Sequence, residues 1–181
     1  MSRLMTPKAL RTLLPALSLA ALLAAIFYLQ PRTMSYFGLN LLLNLAVPIA
    51  LATIAQMFIL CVNDLDLSIG AFVSLTACIT ATWLNDAPVL GVLALAACVV
   101  AYGAMGALIH LRKLPSIVVT LGMSFVWTGF AILIVPTPGG SAPDWIRSLM
   151  TLKPAFVPFP IIASVVIALV VHIGLMRSAA G

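Results

Sequence analysis

Six apolar runs of nearly equal length limit what this chain can become. They cover residues 13–30, 39–62, 67–84, 88–111, 115–135 and 155–176. Each is close to the ~20 residues that a helix needs to cross ~30 Å of hydrocarbon. The runs are continuously apolar and do not alternate, which argues against strands. A helix satisfies its own backbone, as lipid requires. The expected fold is therefore all-α: a polytopic integral membrane protein with about six transmembrane helices, forming one transmembrane domain over 1–181. Composition agrees, since 7% of residues are charged against about 25% in an average soluble domain.

Orientation follows from Lys and Arg. With the N-terminus in the cytoplasm, the inner side holds Arg3, Lys8, Arg11, Arg112, Lys113 and Arg177, and the outer side holds Arg32, Arg147 and Lys153. An inner excess of basic residues is the usual arrangement. These residues are scattered at the ends of runs, so the net charge of +5 does not point to nucleic acid, which needs clustered cations. The basic start resembles a signal peptide. The run over 13–29 is long for one, however, and Gln30-Pro31-Arg32-Thr33 contains no small-x-small cleavage site. It reads as an uncleaved first helix. Cys61, Cys78 and Cys98 form no CxxC pair and read as small packing residues.

The gap Asn63-Asp64-Leu65-Asp66-Leu67-Ser68-Ile69-Gly70 holds two of the four acidic residues. A carboxylate at a helix centre costs about 2.5–3.5 kcal/mol on insertion scales. The gap is therefore either a cytoplasmic loop or a break inside the membrane shielded by protein. Asp66 is placed to cap the third span, Ser68 to bond locally and Gly70 to allow close helix approach. Small residues recur every fourth position at Gly70, Ser74, Cys78 and Thr82, at Gly103 and Ala107, and at Ala16, Ala20 and Ala24. Span two carries Asn40, Asn44, Gln56 and Asn63, with Pro48 as a kink point. These polar residues fit either interhelical hydrogen bonding or the lining of a path for a polar solute. The outer connection over 136–154 opens with turn chemistry at Pro138-Gly139-Gly140-Ser141. Residues 144–150 fit a loop or a short surface helix with Trp145 at headgroup level.

Catalytic patterns do not emerge. His110 and His172 read as end-of-helix residues. There is no HExxH and no GxxxxGK[ST], so no metal ligand set and no P-loop for ATP. The chain is not expected to be an enzyme.

Three landmarks in order resemble the permease subunits of bacterial ABC importers for monosaccharides, of the ribose, xylose and autoinducer-2 type. Asp66-Leu67-Ser68-Ile69-Gly70 matches the signature Gly-Gly-Ile-Asp-Leu-Ser-Val-Gly, with Asn63-Asp64 in place of the glycine pair. Pro115-Ser116-Ile117-Val118-Val119-Thr120-Leu121-Gly122 matches Pro-x-Ile-x-Thr-Leu-Gly. Gly139-Gly140 follows in the outer loop. The resemblance covers the whole chain but only part of a permease, so the chain is expected to be an N-terminal portion. It implies a multi-pass subunit of the bacterial inner membrane, moving a sugar or similar small polar solute. It also implies a periplasmic sugar-binding protein, a second permease subunit (identical or not) and a separate cytoplasmic ATPase that uses the ATP. No cofactor would be bound by the chain itself. The residues it singles out are Asp66, Leu67, Ser68, Gly70, Pro115, Thr120, Gly122, Gly139 and Gly140. Two rival readings are a membrane-embedded enzyme acting on a lipid-linked substrate and a membrane subunit that transports nothing. The first would need clustered acids, bases or metal ligands at one membrane face, and Asp64 with Asp66 supplies little of that.

Overall fold

A computed structural model describes residues 7–137, 139–151 and 159–178. Arg3, Pro138, Lys153 and the expected start of the sixth span at 155–158 lie outside the described residues. The elements are α1 (Pro7–Leu29), a 3₁₀ turn (Pro31–Met34), α2 (Tyr36–Cys61), α3 (Ile69–Ala81), α4 (Trp83–Asp86), α5 (Pro88–Arg112), α6 (Ser116–Ile134), α7 (Asp144–Thr151) and α8 (Phe159–Ser178). All secondary structure among the described residues is helical. Helices α2, α5 and α6 are long and apolar enough to cross a membrane. Leu13–Leu29 and Ile161–Gly174 are shorter apolar stretches within α1 and α8.

The run over 67–84 is not one continuous helix. Helix α3 has 13 residues and reaches about 20 Å at 1.5 Å per residue, short of the ~30 Å hydrocarbon core. It stops where Thr82 turns away at φ −123°, ψ −79°. There both the Thr82 N–H (3.1 Å) and its hydroxyl (2.8 Å) donate to the Cys78 carbonyl. The chain folds back through α4 onto α5, and Leu84 is buried against Gly91. A Cβ at Gly91 would lie 2.6 Å from the Leu84 backbone nitrogen, so this tight return requires glycine.

Two compact units make up the chain, Met1–Ala46 and Val47–Gly181. The division falls inside α2, just before Pro48. In the first unit Ser35 caps α2: its Oγ accepts the Gly38 N–H at 3.1 Å, three residues in, as an N-cap does. In the second unit α3 packs mainly on α6, with α5 alongside. Its core joins Leu75 and Ile79 of α3, Cys98 of α5, and Trp127 and Ala131 of α6. Phe72 stacks at a tilt on Tyr102, with centroids 4.4 Å apart, and meets Trp127 edge-on at 5.6 Å.

Most of the small-residue positions are not at the seams, Cys78 at the edge of the core being an exception. Gly70 is exposed, and a Cβ there would meet nothing within 4 Å. Ser74, Gly103, Ala107, Ala16, Ala20 and Ala24 are exposed as well. Large side chains such as Leu75, Ile79 and Trp127 fill the α3–α6 contact, so close backbone approach is not its basis. The three thiols are free, and only Cys98 is buried, while Cys61 is exposed. The packing role therefore holds for Cys98 and, at the edge of the core, for Cys78.

Candidate functional site

Helix α2 ends in a tight reversal. Asn63 takes the left-handed conformation at φ +63°. Its N–H bonds the Leu60 carbonyl at 3.0 Å, and the Asp64 N–H bonds that of Ile59 at 3.2 Å. This is the Schellman arrangement, which satisfies the last carbonyls of a helix. Asparagine tolerates this conformation better than most side chains. The chain then runs back without helix until Ile69.

That non-helical segment turns alternate residues into the bundle, with Leu65 and Leu67 exposed between them. Asp66 is 5% exposed and Ser68 is fully buried. A buried backbone must find partners, and here other elements supply them. The Gln56 side-chain amide, oriented by its partners, brackets the Asp66 peptide. Its nitrogen donates to the Asp66 carbonyl and its oxygen accepts the Asp66 N–H, both at 3.2 Å. The Leu67 N–H donates to Thr120 Oγ1 at 3.1 Å, and the Thr120 hydroxyl donates onward to the Ser116 carbonyl at 2.8 Å.

The Asp66 carboxylate is held by neutral donors. Its Oδ1 accepts the Ser68 N–H at 2.6 Å and the Ser68 hydroxyl at 2.7 Å. Its Oδ2 accepts the Tyr102 hydroxyl. Among the described residues the ion pair present is Arg147 with Asp144, at 4.0 Å, and none of their cations pairs with Asp66. Tyr102 lies ten residues before the end of α5, about 15 Å along the axis at 1.5 Å per residue. Asp66 thus sits inside the bundle and not in a surface loop. It also does not cap α3. Its bond goes to Ser68, the residue before the helix, and the N-cap Ser68 makes no side-chain bond into it. Asp66 instead closes a turn onto the residue two ahead, which competes with helix and sets where α3 begins.

Asp64 is the outer member of the cluster, half-buried, and accepts the Ser116 hydroxyl at 2.8 Å. Both carboxylates face a cavity of about 810 Å³ whose other polar walls are Tyr102, His110, Lys113, Ser116 and Thr120. Lys113 ends α5 in the left-handed conformation, at φ +53°. A second cavity of about 380 Å³ is apolar and is lined by α2 and α3 residues such as Leu51, Ala55, Phe72 and Val73. Tyr102 lines both.

The structure brings Asp66, Leu67, Ser68, Thr120 and Gln56 together. Pro115 precedes the first turn of α6, where its carbonyl accepts the Val118 and Val119 N–H groups. Gly122 is exposed with open space beside it. Gly140 serves the opposite end of α3. At φ +95° it lies against Ala81, where a Cβ would come within 3.0 Å of the Ala81 carbonyl oxygen. The Ser141 N–H donates to that oxygen at 3.2 Å. Gly139 is not tightly packed. Asn40 and Asn44 bond each other along α2, Nδ2 to Oδ1 at 2.6 Å, so their contact is within a helix and not between helices. Asn63 acts through its backbone. Tyr102 and Ser116 were not singled out as site residues in the sequence. Tyr102 carried a signal, being the tyrosine in the middle of an apolar run, where a phenol needs a partner.

No family model, curated protein or solved structure matches this chain.

Proposed function

We propose that this chain is a transmembrane permease subunit of an ATP-driven importer, moving a sugar or similar small polar solute across the bacterial inner membrane. One observation carries the reading. A buried, hydroxyl-rich cluster around Asp66 opens on a cavity of about 810 Å³ in an otherwise apolar helical protein. Intramembrane ionisable residues are costly and mark solute or ion paths by default. Non-helical backbone at membrane depth is tolerated where protein buries it or where it lines a cavity. The resemblance of the Asp66–Gly70 and Pro115–Gly122 motifs to the monosaccharide permeases supports the same reading.

In this proposal the chain crosses the membrane about six times with its N-terminus in the cytoplasm, and pairs with a second permease subunit. A periplasmic binding protein delivers the solute and a cytoplasmic ATPase drives the cycle. The two must favour different conformations, because a ligand shifts an equilibrium only through differential affinity. Helix α3 is short, and it is held at one end by the Leu67–Thr120 bond and at the other by the Gly140 turn.

The test is uptake of a panel of labelled monosaccharides in cells lacking the chain. Uptake of at least one sugar is expected to fall. Wild type and Asp86→Ala should restore it, and Asp66→Ala should not. Unchanged uptake of every sugar, or equal rescue by both variants at equal membrane levels, overturns the proposal.

A further inference from the structure

Helices α2, α5, α6 and α8 are mostly apolar and have no segregated polar face, whereas α7 is two-faced. At roughly 100° per residue, Asp144, Arg147, Ser148 and Thr151 share one arc of about 100°, and Trp145, Ile146 and Leu149 share the opposite one. The apolar arc is partly open, although α7 also touches α8. Trp145 is 62% and Leu149 37% exposed, and Ile146 is half-buried. The polar arc carries the Arg147–Asp144 pair.

The position of α7 is tied to the membrane-crossing part of the fold. Residues 135–143 alone separate it from α6, which is long and apolar enough to span a bilayer. Its approach is pinned by the Ser141 bond to Ala81 and by the buried Pro143, whose carbonyl accepts the Arg147 N–H at 3.0 Å. An open apolar face next to the end of a spanning helix lies where water gives way to lipid. Amphipathic tryptophans concentrate at that level.

We propose that α7 is an interfacial helix, with Trp145, Ile146 and Leu149 seated in the lipid headgroup layer and Asp144, Arg147 and Ser148 facing water. The lipid surface is its partner. This holds the C-terminal end of α3 at the membrane boundary through the Gly140–Ala81 contact, and it is independent of what the protein transports.

The test uses the full chain in phosphatidylcholine vesicles. Trp145 emission is taken as the difference between wild type and Trp145→Phe. Bromines near the lipid headgroup should quench it roughly twofold more than bromines near the tail end, because an interfacial helix buries its apolar face only about 5–10 Å deep. Aqueous iodide should quench it weakly. Leu149→Trp in the Trp145→Phe chain should behave in the same way. Strong iodide quenching with no response to bromolipid means a face open to water or to a soluble partner, and overturns the proposal. Quenching by neither means a protein cover such as a second copy, and overturns it equally.

Discussion

The Tyr102 hydroxyl donates to Asp66 Oδ2 across 36 residues of sequence. This bond joins the middle of α5 to the unwound segment before α3, and it places the phenol between the polar and the apolar cavity. Removing one partner of a buried polar pair costs more than removing both.

Tyr102→Phe keeps the ring on Phe72 and deletes only the donor. Loss of a hydrogen bond to a charged acceptor should cost about 1.5–3 kcal/mol. Asp66→Ala should cost more, because it strands the Ser68 and Tyr102 donors in the interior. The double variant should then be less damaging than the sum of the singles, with a coupling of about 0.5–3 kcal/mol. Denaturant unfolding in a fixed detergent measures all three. Simple additivity would mean that the two groups do not interact.

Gln56→Leu should be as damaging as a core cavity. It removes the bracket on the Asp66 peptide and leaves a buried N–H and C=O without partners, at about 1–3 kcal/mol each. Hydrogen exchange should speed up across 64–68 while the centre of α6 stays protected. Unchanged exchange at the Asp66 amide would show that the bracket does not form.

The left-handed residues offer a cleaner contrast. Asn63→Gly and Lys113→Gly should be neutral or stabilising, since glycine takes φ > 0 without steric cost. Asn63→Val should lose about 1–2 kcal/mol or more, the penalty for a side chain in this region. Melting temperatures of the purified proteins check the order Gly, Asn, Val.

Two glycines of the motifs should behave oppositely. Gly140→Ala meets both φ +95° and the Ala81 carbonyl, and should destabilise by more than the ~0.4–1 kcal/mol that Gly→Ala yields at compatible sites. Gly70→Ala enters open space on a helix, and should be neutral or stabilising by up to about 1 kcal/mol. If Gly70→Ala proves the worse in a melting assay, a partner packs on that face of α3.

Much of the local structure could be read from the chain. Apolar runs specified helices because backbone satisfaction and hydropathy act over a few turns, and they located α2, α5 and α6 to within a few residues. The gap at Asp66 stood out because carboxylates are rare in such surroundings. The segment over 144–150 left loop and surface helix open, and the structure makes it α7.

What the chain could not show was where each polar group would find its partner. The bonds of Asp66 to Tyr102, of Leu67 to Thr120 and of Asp64 to Ser116 link residues 36, 53 and 52 apart, and no local pattern encodes such pairings. The same holds for the break at Thr82, which follows from α4 folding onto Gly91, and for Gly70, whose small size reads as a packing signal until its neighbours are known. Sequence by itself determined that this is a helical chain with apolar runs long enough to cross a membrane and an acidic gap that is expensive in such surroundings. Tertiary structure decided that Asp66 and Ser68 are buried within that gap, because the assembled helices add the Tyr102 donor and the Gln56 bracket to the local bonds from Ser68.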